Sequence, residues 1–227
     1  MGNAKKVISV LHGAGIGGYD PEICARMITE GTLIGSYSFD KYKTEKSTKK
    51  VDELVIVDMV EENCKKAKAG IKKGKIIGSA MNFARDLSNE QPAYATPSKL
   101  AEIAQSFKDL EVKVYDKEEI EKMGMGAFLG VAKGSSQPPK FIHMHYKGSN
   151  QKLIQRKIAI IGKGICFDSG GLDIKPPSSM LNMKDDMSGA AAVLGVMSVL
   201  KDLKPNCEVH GLSLIHISEP TRPRLIS

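Results

Sequence analysis

The most constraining feature of the sequence is an apolar run, Ile158-Ala159-Ile160-Ile161, that ends abruptly in a glycine-dense segment carrying ionisable residues. Four apolar residues with no polar alternation predict a central parallel strand covered on both faces. The segment that follows reads Gly162-Lys163-Gly164-Ile165-Cys166-Phe167-Asp168-Ser169-Gly170-Gly171-Leu172-Asp173-Ile174-Lys175-Pro176. After it comes Met183-Lys184-Asp185-Asp186-Met187-Ser188-Gly189-Ala190-Ala191. Open α/β sheets bind ligands beyond the carboxyl ends of their strands, so a site belongs here. The glycines let backbone pack closely around Lys163 and Asp168, whose side chains can converge if the loop folds tightly. Asp186 precedes a small-residue helix, Ser188 to about Leu200, whose N-terminal end favours an anion. Hard divalent cations want such carboxylates, and one carboxylate can bridge two ions about 3.5–4 Å apart. A surface Lys–Asp pair on a glycine turn explains any one of these pieces. It poorly explains several lysines and carboxylates gathered past one strand end.

The rest of the chain supplies alternating elements. Strands are predicted at Val7–Leu11, Val51–Val57, Val112–Tyr115, near Phe128–Val131 and at Phe141–Tyr146. Helices are predicted from Asp20-Pro21, over Glu61 to about Leu87, from Thr96-Pro97 through Phe107, and over Lys117–Met123, the first with Asp as cap and Pro at its first turn. This alternation predicts an α/β architecture. No apolar run approaches the ~18 residues a membrane span needs, and no signal peptide is read, so a cytoplasmic protein is expected. Four separated cysteines, with no CxxC pair among them, point to reduced thiols.

Two further features suggest other functions. The net charge of +7 is densest over Lys65–Lys75, which would suit a nucleic-acid-binding protein; the stretch has no interleaved aromatics or arginines, and a solvated helix face explains it better. Gly13-Ala14-Gly15-Ile16-Gly17-Gly18 matches GxGxxG between a strand and a helix, the context of a dinucleotide site. Asp20, however, puts a negative charge where the pyrophosphate should sit, and Gly35–Asp40 has turn character rather than that of a second strand's end. A turn made for chain reversal fits better.

The segment 162–191 closely resembles the pattern GKGxxFDSGGxxIKP…MxxDMxGA of the M17 leucyl aminopeptidase (cytosol aminopeptidase) family. The likeness extends to Asn82–Asn89 with Pro92, Thr96 and Pro97, to Gly124–Ala127, to Ser135 with Pro138-Pro139, and to Gly31–Tyr37 with Phe39-Asp40 and Tyr42. The resemblance implies a residual N-terminal α/β domain (1–62), a linking helix (63–88) and the first half of an α/β/α catalytic domain with a mixed, largely parallel sheet (89–211). It implies metal-dependent release of N-terminal, apolar residues from peptides with a free N-terminus, by attack of a metal-bridging water. Lys163, Asp168 and Asp186 would hold two Zn2+ or Mn2+ ions, Lys163 through a neutral amine and Asp168 as the bridge. Lys175 would stay charged as the catalytic electrophile on the scissile carbonyl. The parent would be a homo-oligomer, a hexamer if it follows the family.

Three departures qualify this. Ser188 stands where the family usually has Gly. The family's remaining ligands and an arginine come from an NTDAEGR segment that this sequence lacks, so the chain alone is expected to be inactive, and its start falls inside the usual N-terminal domain. From Leu212 to Ser227 the sequence resembles the conceptual translation of a sequencing adapter, and this stretch is expected to lie outside the fold.

Overall fold

The computed structural model describes residues 5–15, 17–46, 51–150 and 156–218. The chain divides into two units that part between Asn82 and Phe83. In the first, β1 (Lys6–Val10) and β2 (Glu53–Val57) pair in parallel, Lys6 beside Glu53 through Val10 beside Val57. The glycine-rich segment after β1 is a turn, with Gly13, Gly15, Gly17 and Gly18 all at positive φ. Asp20 then caps α1 (Pro21–Gly35), accepting from the Glu22 N–H at 2.7 Å. Its carboxylate lies at the helix end that a phosphate would need, in keeping with a chain-reversal turn.

Helix α2 (Glu61–Asn89) packs on α1 through a row of glycines spaced four apart. A Cβ at Gly74 would stand 2.7 Å from the Arg26 carbonyl oxygen, and Gly70 and Gly78 face α1 in the same way. Within the basic stretch, Lys65 pairs with Glu61 and Lys73 with Glu22, as on a solvated face.

The second unit is built on a four-stranded mixed sheet in the order β3 (Glu111–Tyr115), β4 (Lys140–Tyr146), β6 (Glu208–Ser218), β5 (Lys157–Asp168). The first two pairings are antiparallel and β5–β6 is parallel. Helices α3 (Pro97–Gln105, capped by the Thr96 hydroxyl) and α7 (Ser188–Leu203) bury a single core against it. Leu100, Ile142, Met144, Cys166, Leu194 and Ile215 are fully buried there. Two short helices, α4 (Lys117–Lys122) and α5 (Gly126–Ala132), precede β4. A four-residue helix, α6 (Pro177–Met180), and a 3₁₀ turn (Met183–Asp185) lie between β5 and α7. No helix among the described residues is long and apolar enough to cross a membrane.

Three expectations are corrected. The run Phe128–Val131 is helical, within α5; a short apolar run carries no period that separates strand from helix. The strand through Ile158–Ile161 is the end strand of the described sheet, with Ile161 67% exposed. It is covered on one face, by α7, and β6 takes the central place. Leu212–Ser218 does not lie outside the fold. It is the second half of β6, hydrogen-bonded to β4 and β5, with Ile215 in the core; Glu219–Ser227 lies outside the described residues.

Candidate metal centre

The glycines of the signature segment act at two close approaches. A Cβ at Gly162 would stand 2.3 Å from the Gly189 carbonyl oxygen, and one at Gly189 would stand 2.8 Å from the Lys163 nitrogen. Strand β5 and the start of α7 therefore touch backbone to backbone, a contact that only residues without side chains permit. Its consequence is position. Lys163, next after Gly162, meets Asp186, three residues before Gly189, and its Nζ donates to Oδ1 at 2.8 Å. Asp186 is largely sheltered, and its Oδ2 is buried with no hydrogen-bond partner, whereas the Lys163 side chain is more than half exposed.

Asp168 ends β5. In a regular strand, residues five apart point to opposite faces. Here the register with β6 shifts: Ile165 to Asp168 is three steps on β5 against two steps, His216 to Ser218, on β6. This bulge lifts the parity that would hold Lys163 and Asp168 apart. Beyond Asp168, Gly170 and Gly171 turn with φ of +85° and +80°, and the Lys175 N–H closes the turn on the Ser169 carbonyl at 2.9 Å. A Cβ at Gly170 would meet the Asp173 carbonyl oxygen at 2.5 Å. The turn returns Lys175 to Asp168, whose Oδ1 accepts from the Gly170 N–H at 2.9 Å and whose Oδ2 accepts from Lys175 Nζ at 2.8 Å.

The four residues singled out from sequence thus form two pairs, Lys163 with Asp186 and Lys175 with Asp168. The sequence reading overlooked the supports. Met183 Sδ lies 2.9 Å from Lys175 Nζ. Lys184 donates to the Asn89 carbonyl at 3.0 Å, which ties the 3₁₀ turn to the end of α2. Ser188, the residue that departs from the usual Gly, donates to the Ser88 hydroxyl at 3.0 Å, so the larger side chain is accommodated.

Residues 82–219 match the cytosol aminopeptidase family, catalytic domain. The chain belongs to this family. A probable cytosol aminopeptidase of Persephonella marina is 50% identical over 192 residues, 83% of this chain and 38% of that protein. One from Sulfurihydrogenibium sp. is 45% identical over 197 residues, 86% of this chain and 38% of that protein. The chain thus spans well under half the length of the curated relatives it matches. Among solved structures, the bottromycin maturation enzyme BotP in complex with Mn superposes with a TM-score of 0.81 at 26% identity, covering 96% of this chain and 45% of BotP. The family assignment agrees with the signature segment and with the mixed α/β fold.

Proposed function

We propose that Lys163, Asp168, Asp186 and Lys175 are one part of a two-cation aminopeptidase centre that a chain of the relatives' full length completes. The carrying observation is the Asp186 carboxylate: one oxygen on the Lys163 amine, the other buried and unpartnered. A buried carboxylate oxygen without a donor is costly, and a cation at that position would remove the cost. The donor set of two carboxylates and an amine suits Zn2+ or Mn2+. The Mn in the BotP structure supports the latter for that protein. When bound, such cations supply Lewis acidity toward a peptide carbonyl and ease the deprotonation of a water.

The chain's own residues do the rest. Asp168, held in place by the Gly170 N–H and Lys175, would be a carboxylate ligand of the centre. Lys163 would offer its amine lone pair to a cation. Lys175 would stabilise the negative charge that develops on the carbonyl oxygen. A preference for apolar N-terminal residues belongs to this reading by family resemblance. On this reading the protein acts in the cytoplasm as a homo-oligomer, hexameric by family resemblance, on peptides with a free N-terminus.

The test pairs elemental analysis with turnover of a leucine amide, in a chain extended to the relatives' length. Lys163→Arg should lose metal, because Arg does not deprotonate in a protein. Lys175→Ala should keep metal and lose about 10²–10³ in turnover, the scale of a removed oxyanion donor. Metal retained in the first variant, or lost in the second, overturns the assignment.

A further inference from the structure

A second group of candidate ligands lies at the other end of the parallel strand pair. His145 on β4 and His210 on β6 are direct cross-strand partners, and Glu208 stands two residues before His210 on the same face. His210 pairs with Ala159, four residues before Lys163 along β5, so this group sits about 13 Å along the strands from Lys163. The two imidazoles stack with centroids 4.4 Å apart and planes 3° from parallel. Both Nε2 atoms converge on a single carboxylate oxygen: Glu208 Oε1 lies 3.0 Å from His145 and 3.1 Å from His210. One donor atom from each of the three residues lies within 4.8 Å of the other two.

His145 faces carboxylates from both ring nitrogens, Glu111 Oε2 at 3.1 Å from Nδ1 and Glu208 Oε1 at 3.0 Å from Nε2. Lys157 takes the far oxygen, Oε2, which leaves Glu208 Oε1 facing the two rings.

The geometry points to a divalent-cation site formed by His145 Nε2, His210 Nε2 and Glu208 Oε1, distinct in residues from the Lys163–Asp186 group and suited to Zn2+. Tetrahedral zinc with bonds of about 2.1 Å places its ligand atoms about 3.4 Å apart, a few tenths of an ångström beyond the two His–Glu spacings seen here. Because an imidazole holds a metal in its own ring plane, the two stacked rings would tilt out of parallel to share the ion. Two imidazoles and one carboxylate are a recurrent zinc set that leaves a fourth position for water. The orienting contacts are also in place. Glu111 accepts from His145 Nδ1, and His143 Nε2 lies 2.9 Å from His210 Nδ1, so each ligating ring has a partner for its other nitrogen. The three side chains are 20%, 28% and 15% exposed for His145, His210 and Glu208, open to an ion but sheltered from bulk solvent.

The test uses Zn2+ alone, titrated calorimetrically into the 227-residue chain carrying Asp168→Asn and Asp186→Asn. One equivalent should bind. His145→Gln or His210→Gln should abolish that binding, and Glu111→Gln should weaken it about 10–100-fold with stoichiometry unchanged. In the unmutated chain, the electron paramagnetic resonance of added Cu2+ should show coupling to two imidazole nitrogens, a readout that needs no histidine variant to fold. No Zn2+ bound by the Asp168/Asp186 variant, binding unaltered by His210→Gln, or a Cu2+ spectrum without two-nitrogen coupling overturns the site. Loss of a separate equivalent on making the aspartate changes bears only on the aminopeptidase centre.

Discussion

Gly162→Ala tests the close approach that brings Lys163 to Asp186. The added Cβ would lie 2.3 Å from the Gly189 carbonyl oxygen, 2.5 Å from its carbon and 2.8 Å from the Ala190 nitrogen. All three are backbone atoms, which cannot rotate out of the way. Ordinary contact begins near 3.4 Å, so the start of α7 must retreat by about 1.1 Å. If Asp186 moves with it, the Lys163–Asp186 contact opens from 2.8 Å to as much as about 3.9 Å, beyond hydrogen-bond reach. Overpacking usually costs 1–3 kcal/mol, and a wholly backbone clash belongs at the upper end, about 3 kcal/mol. For a unit of this size each kcal/mol moves the melting midpoint by about 3–4 °C, so a drop of about 10 °C is expected. Gly130→Ala is the control: this glycine lies in α5, a Cβ there meets nothing within 4 Å, and the change should be neutral or stabilise by up to about 1 kcal/mol. Thermal melts by circular dichroism of the two variants decide the matter. A Gly162→Ala midpoint within about 3 °C of the parent would refute the claim that this contact sets the site.

Two further outcomes follow from the sheet. Ile215→Ala should cost about 2–5 kcal/mol in chemical denaturation, since Ile215 is fully buried, while Ser213→Ala should stabilise because the buried Ser213 hydroxyl has no hydrogen-bond partner; no change in either would return Leu212–Ser218 to a segment outside the fold. Burial pushes the Cys166 thiol up to about 12, so it should resist alkylation at pH 8 while Cys24, Cys64 and Cys207, all partly exposed, react, as mass spectrometry can resolve. The folded state holds that proton where the unfolded chain releases it. This contribution is therefore complete below about pH 9 and is lost as pH rises toward 12, and a stability that climbed over that window would contradict it.

Much of the fold was legible because its signals are local. Asp20-Pro21 and Thr96-Pro97 combine an accepting side chain with a residue that needs no N–H, and both open helices as read. Phe128–Val131 failed because four apolar residues carry no period. The place of β5 in the sheet failed for a different reason. An apolar strand announces that it can be covered, but strand order is set by partners elsewhere in the chain. Here the central position went to β6, whose second half buries Ser213 while Leu212 and Leu214 are only partly buried, so its apolar pattern does not announce the buried face.

The same distinction separates the two candidate cation sites. Lys163, Asp168, Lys175 and Asp186 fall within one stretch of 24 residues, and the glycines between them mark where backbone must approach backbone, so spacing alone points to a site. The histidine group is written in two fragments, His143-Met144-His145 and Glu208-Val209-His210, each with period two, so that each shows a polar face to one side of a strand. Neither fragment is unusual by itself. What joins them is the antiparallel register that sets His145 opposite His210 across 65 residues of sequence, with Glu111 opposite His145 on the far side. A shift of one residue in that register would turn every side chain of β6 to the other face. It would put Val209 or Gly211 opposite His145 and disperse the donors. The second site therefore depends on pairing that no local signal encodes, and the titration of Zn2+ against His210→Gln is at once a test of the site and of the register that forms it.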